Sequence, residues 1–402
     1  MVNIAVLGYG TVGSGVCEVI RTNPESINKK AGRKINVKYV LDLRDFPGDP
    51  VEKVLVHDFD VILNDPEVKI VVEVMGGVEP AYTFVKKCLL SGKSVCTSNK
   101  ELVAKYGPEL LEIARQKEIN FLFEASVGGG IPIIRPLNSS LTADEILEIT
   151  GILNGTTNYI LTKMEQEGWE FDAALRKAQE LGYAERNPEA DIEGYDACRK
   201  IAILSSLAFG DHVDFEEIYT EGISKITATD IAYAKQMGYA IKLLASSKRE
   251  DEQYYAMVAP FLVPPTHPLF AVNDVFNAIF VKGNVLGDVM FYGSGAGKLP
   301  TASAVVSDVV DATKHLNRNI MSFWSSKKLG LTKVDQATRR FFVRVKADQN
   351  AEKVRDVFGD VKTVQLESAS DEVAFVTPAM TEAGFDEKCA QFGGVISRIR
   401  LL

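Results

Sequence analysis

The chain has 402 residues, a net charge of −9, 46% hydrophobic residues and 25% charged ones. That is the profile of a soluble globular protein with room for more than one domain, and its acidity argues against a nucleic-acid backbone as partner. No apolar run reaches the ~18 residues of a membrane span, and the N-terminus leads straight into a strand rather than a signal peptide. Cys17, Cys88, Cys96, Cys198 and Cys389 are scattered without a CxxC pair. Reduced thiols, no membrane contact and a cytoplasmic location are therefore expected.

Val2–Gly8 reads as a short buried strand, and Gly8, Gly10 and Gly13 complete a GxGxxG motif before a helix over Thr11–Arg21. Gly8 permits the tight turn, Gly10 a close approach of the backbone to a pyrophosphate, and Gly13 close helix–strand packing. Thr11 and Val12 bring free N–H groups of the helix start to the same place. A second strand is expected over Asn36–Leu43, after a lysine-rich loop around Asn28–Lys34. Its end carries Asp42, suited to a ribose 2′-hydroxyl, and Arg44, suited to a 2′-phosphate, which leaves NAD and NADP both open. Ile70–Gly77 is a further strand–helix junction, with Gly76 at its end and a helix over Ala81–Ser91 behind it. Ser94–Thr97 is the next strand, and Ser98, Asn99 and Lys100 follow at the mouth of a helix. Ligands of open α/β sheets bind beyond the carboxyl ends of the strands, where these residues fall. A lysine at a helix start runs against the dipole.

Ile119–Ile134 is a strand that breaks into a triple-glycine turn, which a crossover between domains would explain. A second domain follows, with a strand at Glu145–Leu153 and a helix opening at Asn154-Gly155-Thr156. Gly182–Gly194 is a polar loop holding Tyr183, Glu185, Asp191 and Glu193, and Tyr195–Phe209 reads as a helix of about four turns. Asp196 and Lys200 share one face of it. An exposed pair of this kind contributes roughly 0.3–0.5 kcal/mol. Here Cys198, Ile201, Ala202, Ile203, Leu204, Leu207 and Ala208 make the helix apolar all round, so it is read as buried. A buried ammonium needs a carboxylate partner or a task.

The run from Ala178 through Gly182, Asn187-Pro188, Asp191, Gly194, Asp196 and Lys200 resembles the signature of homoserine dehydrogenase. The resemblance implies reversible NAD(P)-dependent interconversion of L-homoserine and L-aspartate 4-semialdehyde. The reaction needs one acid/base, for which Lys100 and Lys200 are the two candidates; Lys200 is favoured for it, with Asp196 pairing with or orienting it, and Lys100 as polariser and cofactor contact. Glu185 and Asp191 suit the substrate ammonium, and Tyr183, Thr156 and Gly155 are further substrate contacts. Gly76, Ser98 and Gly297 join the cofactor side. The triple-glycine bend is expected to hold a monovalent cation, taken as sodium, through Glu124 and the carbonyls of Val127, Gly129 and Ile131. An aspartate-semialdehyde dehydrogenase, which needs a cysteine–histidine arrangement, and a non-catalytic cofactor-sensing regulator are the alternatives. A fused aspartokinase is not expected, because the chain begins at the nucleotide-binding strand.

The expected architecture is thus α/β: a Rossmann-type domain over 1–134, completed by a helix over 299–317, and an α+β substrate and dimerisation domain over 135–298. A linker follows at 318–337, then a βαββαβ ferredoxin-like, ACT-like domain over 338–402. Its first helix is placed at Ala351–Phe358 and its second at Glu382–Phe392. The loop Asp348–Ala351 lacks the glycine that would let an amino acid meet the main chain, so threonine regulation is not expected and the tail is assigned to assembly. A homodimer or homotetramer is expected.

Overall fold

The computed structural model describes residues 1–359, 361–391 and 394–402, without the side chains of 348–352. The chain divides into two compact units, one of Met1–Glu145, Ala202–Phe215 and Phe291–Leu329, the other of Ile146–Ile201, Glu216–Met290 and Gly330–Leu402.

The first unit is built on six strands: β1 (Val2–Leu7), β2 (Ile35–Leu41), β3 (Leu55–Val56), β4 (Val68–Glu73), β5 (Ser94–Thr97) and β6 (Phe121–Leu122). Their order is β3-β2-β1-β4-β5-β6 and every pairing is parallel, which puts the change of winding direction between β1 and β4. Ile4, Val6, Ile70 and Val72 are fully buried, as strands covered on both faces require. The helix Lys298–Lys314 adds Ala302, Val305 and Val309 to the same core. It meets the helix Thr11–Thr22 at Gly15, where a methyl group would stand 2.9 Å from the Lys298 carbonyl.

Two expectations are corrected here. Residues Pro24–Ala31 form a helix that takes in the first part of the loop expected around Asn28–Lys34, because Pro24 opens it and Gly32 closes it in the left-handed conformation at φ 70°. The helix read as 299–317 stops at Lys314, and Asn317 turns to positive φ just beyond it. Within the stretch read as a linker, Trp324 is buried, stacks on His212 at 5.9 Å and meets Phe123 edge-on at 6.2 Å.

The second unit holds β7 (Ile146–Ile152), β8 (Tyr219–Thr220), β9 (Ala240–Glu250), β10 (Gln253–Val263), β11 (Phe276–Gly283) and β12 (Gly287–Ser294). To these the tail adds β13 (Thr338–Arg339), β14 (Phe341–Lys346), β15 (Thr363–Val364), β16 (Glu372–Val376), β17 (Met380–Thr381) and β18 (Val395–Leu401). One ten-stranded sheet runs β12-β11-β7-β9-β10-β18-β14-β16-β15, with β8 also on β10. The tail strands follow the ferredoxin-like order, and β18 carries that order into the main sheet by pairing in parallel with β10. β9 was not legible in the sequence, since Ala240–Leu244 favours helix by propensity and is overridden by pairing along its whole length with β10.

In the tail the first helix starts at Ala347, four residues before the expected position, so β14 passes into it without a loop. Asp348–Ala351 are thus helical backbone, and their side chains lie outside the described residues. The second helix spans Glu382–Cys389, and the expected end at Phe392 lies outside the described residues too.

Candidate functional site

The nucleotide end of the first unit follows from three glycines. Gly8 has φ +98°, and an added methyl would press on Met75 and Val74. A methyl on Gly13 would collide with the Gly8 carbonyl, whereas around Gly10 there is open space. Gly10 is the N-cap of the helix Thr11–Thr22, and no side chain caps it. The first-turn N–H groups of Thr11 and Val12 therefore stand over an open cradle that fits a dinucleotide pyrophosphate.

At the end of β2 the Asp42 carboxylate accepts from Tyr9 N at 2.8 Å and from Arg44 through Nε and Nη2, both at 2.9 Å. The Arg44 guanidinium holds this carboxyl well below the usual carboxylate range, against the partial burial that raises it. Arg44 itself is exposed and lies 5.1 Å over the Phe46 ring. The acid and the base that left the cofactor open are thus joined to one another.

β4 and β5 end in a polar cluster. Glu73 is wholly buried and accepts from Thr97 Oγ1 at 2.6 Å and Met75 N at 2.8 Å. Burial raises its carboxyl pKa, the hydrogen bonds from Thr97, Met75 and Gly76 opposing it. Gly76 and Gly77 both have positive φ, and Asn99 donates to the Gly77 carbonyl at 2.6 Å while capping the helix Lys100–Gln116 at Leu102 N. This network fixes Ser98 and Lys100, both half-buried, at the strand ends. Gly297, at φ +118°, is the N-cap of the helix Lys298–Lys314 in the same unit.

In the triple-glycine bend, Glu124 is buried and its carboxylate accepts three backbone N–H groups, from Ile133 at 2.6 Å, Ile134 at 2.9 Å and Arg135 at 2.7 Å. Behind it, Asp308 accepts from Glu124 N at 2.9 Å and Arg135 Nη2 at 2.7 Å. Burial, with the Glu124 charge, pushes the Asp308 carboxyl up to about 8. Three donors on two oxygens make Glu124 the anchor of the turn. Two carboxylate oxygens offer about four acceptor sites, so Glu124 keeps capacity beyond these three donors, and it stands with the carbonyls of Val127, Gly129 and Ile131 as the oxygens that could hold a cation. One carboxylate and a set of neutral carbonyls fit a hard monovalent ion. Among the described residues no cluster of three His, Cys, Asp or Glu side chains could hold another metal.

The second unit brings three predicted residues, Asp191, Asp196 and Lys200, together around one the sequence did not single out. Lys200 Nζ donates to Asp196 Oδ2 and to the Leu153 carbonyl, each at 2.7 Å. The next residue, Asn154, caps the helix Gly155–Glu167 by accepting from Thr157 N at 2.9 Å. Its Nδ2 donates to Asp191 Oδ1 at 2.7 Å and Asp196 Oδ2 at 3.0 Å. Asn154 therefore ties both carboxylates to the end of β7. Thr156 donates to the Tyr183 carbonyl at 2.6 Å, so the contact made by Tyr183 here is its backbone, while its ring is 44% exposed. Gly155 is held so close to the Val275 carbonyl that a methyl would stand 2.7 Å from it. Glu185 is exposed and outside this cluster. Among groups not singled out from the sequence, Asn154 had the signal of a cap before Gly-Thr-Thr, and Glu73 that of a lone acid ending an apolar strand.

An ammonium has three N–H donors, and two of those on Lys200 are spent on fixed acceptors. The cysteines offer no competing chemistry: burial pushes Cys17 and Cys389 up to about 11 and Cys88 to about 12, and raises Cys96 and Cys198 as well. A nucleophilic thiolate needs the opposite shift, which removes the main requirement of an aspartate-semialdehyde dehydrogenase.

A parallel 3-2-1-4-5-6 sheet with an uncapped glycine turn, and a buried lysine–carboxylate pair on a second unit, define an NAD(P)-dependent oxidoreductase. The homoserine dehydrogenase profile matches residues 132–310, and that of the homoserine dehydrogenase NAD-binding domain matches residues 8–124. The homoserine dehydrogenase of Synechocystis is 48% identical over 77% of this chain and 73% of its own length, and that of Bacillus subtilis 43% identical over 79% and 74%. The crystal structure of a homoserine dehydrogenase from Thiobacillus denitrificans superposes with a TM-score of 0.90 at 37% identity, covering 100% of this chain and 98% of that one. A hyperthermophilic archaeal homoserine dehydrogenase in complex with NADPH gives a TM-score of 0.67 at 31% identity, over 78% of this chain and 97% of that one. The chain belongs to the homoserine dehydrogenase family, whose reaction is the reversible NAD(P)-dependent interconversion of L-homoserine and L-aspartate 4-semialdehyde.

Proposed function

We propose that Lys200 is the acid/base of this reaction. The observation that carries the proposal is the placement of its ammonium, buried and held by Asp196 and the Leu153 carbonyl with one N–H to spare. When bound, the nicotinamide accepts or delivers the hydride. In aldehyde reduction Lys200 gives a proton to the carbonyl oxygen, and in alcohol oxidation it takes the hydroxyl proton from the same atom. Asp196 keeps the side chain aimed. Asp191, with Glu185 on the adjoining loop, supplies negative charge to the substrate ammonium, and Gly155, Thr156 and the Tyr183 backbone shape the space beside it. Lys100 is the polariser and a cofactor contact. Gly8, Gly10, Thr11, Val12, Gly13, Gly76, Ser98 and Gly297 bind the dinucleotide.

NADP is the proposed cofactor, with Arg44 leaving Asp42 for the 2′-phosphate. The archaeal relative's complex with NADPH supports this reading, as does the exposure of the Arg44 side chain, whose contact with Asp42 a phosphate contact can replace. A monovalent cation, taken as sodium, is proposed on Glu124 and the carbonyls of Val127, Gly129 and Ile131. Self-assembly into a homodimer or homotetramer is supported by Val285, Leu286, Met290 and Tyr292, all exposed along β12 and the turn before it. Steady-state oxidation of homoserine with NADP and with NAD, by wild type and Lys200→Ala, tests the proposal. A Lys200→Ala protein of normal turnover would remove it.

A further inference from the structure

Within the second unit a buried charge cluster reaches from the last strand of the tail to the segment that carries Asp191. β8 and β18 lie along one edge of β10: Tyr219 and Thr220 pair with Met257 and Val258, and Arg400 and Leu401 with Phe261 and Leu262. Arg400 is 1% exposed. Its Nε and Nη2 donate to the two Glu382 oxygens at 2.7 and 2.8 Å, and Nη1 donates to Glu221 Oε2 at 2.7 Å. Its guanidinium also lies 5.0 Å over the Tyr219 ring, whose hydroxyl donates to the same Glu221 oxygen at 2.9 Å. Glu221 is therefore pinned from both sides.

The residue after Glu221 makes the contact that matters. Gly222 packs so closely on Ile192 and Glu193 that a methyl there would collide with both. Ile223 N donates to the Ile192 carbonyl at 2.8 Å, and Gly194 abuts Val258 and Thr220. The turn between Asp191 and Asp196 thus rests directly on the residues that Arg400 holds.

We propose that Arg400 is a positioning residue for the substrate site: by fixing Glu221 it seats Gly222 beneath Ile192–Gly194, and so sets Asp191 and Asp196 against Asn154. The inference rests on the reading of Asp191 as partner of the substrate ammonium. It makes the last strand of the tail part of the catalytic unit's construction, where the sequence had suggested an assembly module. Removing such a guanidinium leaves two carboxylates without their buried partner, so the residues it holds lose their fixed place.

The test uses the full chain and four variants, Arg400→Met, Arg400→Lys, Glu221→Gln and Asp191→Asn, each checked for native near-UV circular dichroism. Arg400→Met and Glu221→Gln are expected to raise KM for homoserine about tenfold while KM for NADP and kcat change little, the signature of a misplaced binding group. Arg400→Lys is expected to recover part of that loss. Should Arg400→Met fail to fold, Glu221→Gln, which preserves shape at a partly exposed position, carries the test. An unchanged KM for homoserine in folded Glu221→Gln overturns the proposal, and so does an equal loss of affinity for homoserine and NADP. A normal KM in Asp191→Asn overturns the reading of Asp191 and the proposal with it, whereas a raised KM there beside a normal one in the Arg400 variants overturns the coupling alone.

Discussion

Lys200 and Asp196, one turn apart on the same helix, form an ion pair at 2.7 Å with side chains only 10% and 6% exposed. Burial decides what such a pair is worth. On a surface it would add a few tenths of a kcal/mol, but in the interior the loss of one partner strands a charge that has already been desolvated. Asp196→Leu alone is therefore expected to lower the unfolding free energy by about 3–5 kcal/mol, and Lys200→Met/Asp196→Leu together to recover most of it. Urea unfolding of both variants checks this. Additive losses would mean that the two groups do not depend on one another.

Asn154 joins a structural task to a functional one, since its oxygen caps a helix while its amide holds both carboxylates. Asn154→Ala should cost about 1 kcal/mol for the lost cap. Asn154→Asp keeps the cap, but it replaces the amide donor by a third carboxylate beside Asp191 and Asp196, so both variants should raise KM for homoserine. Urea unfolding together with homoserine titrations of the two variants separates cap from site; a wild-type KM in both would assign Asn154 to the cap alone.

Arg44 is already bound to Asp42, yet its side chain is 63% exposed, against 10% for Asp42, and it is free to turn toward a phosphate at the surface. Arg44→Ala is expected to raise KM for NADP by at least ~10-fold and KM for NAD by far less, as the loss of a charge-assisted hydrogen bond requires. Equal changes for both cofactors would show that Arg44 does not read the 2′-phosphate.

Much of this was legible from residue types and spacing. The helix Tyr195–Phe209 begins and ends where its apolar faces and Gly194 place it, and Gly8, Gly10 and Gly13 adopt the distinct packing that GxGxxG implies. What escaped the sequence depends on partners far along the chain. Asn154 reads as a plain cap until Asp191 and Asp196 are brought to it, and Glu73 becomes a site residue only once Thr97 lies alongside on the next strand. The three donors to Glu124 likewise come from a turn whose path the sequence does not specify. In β9 and β18, pairing across the sheet overrode both local propensity and the apparent independence of the tail.

Lys242, wholly buried in β9, donates to the Val272 carbonyl at 2.7 Å and to Asn273 Oδ1 at 2.8 Å. Burial pushes its pKa down from 10.5 to about 8, with Glu165 and Asp274 opposing. Between those values the folded protein gives up a proton that the unfolded chain keeps, so this group's contribution to stability rises with pH through the window. Relative to Lys242→Met, the wild type should gain on the order of 2–3 kcal/mol in unfolding free energy from neutral pH to the upper end of that window. A difference that stays flat with pH would contradict a buried, titrating ammonium.

The central claim is that Lys200, and not Lys100, moves the proton. Its most direct measurement is kcat for homoserine oxidation in Lys200→Ala and Lys100→Ala, each at saturating NADP. The expected result is a fall of at least ~10²-fold for Lys200→Ala with KM for NADP nearly unchanged, the usual scale for losing a general acid/base. For Lys100→Ala, a rise in KM for NADP should accompany any smaller loss of turnover. Near-normal turnover in Lys200→Ala beside abolished turnover in Lys100→Ala would contradict the claim and exchange the two roles.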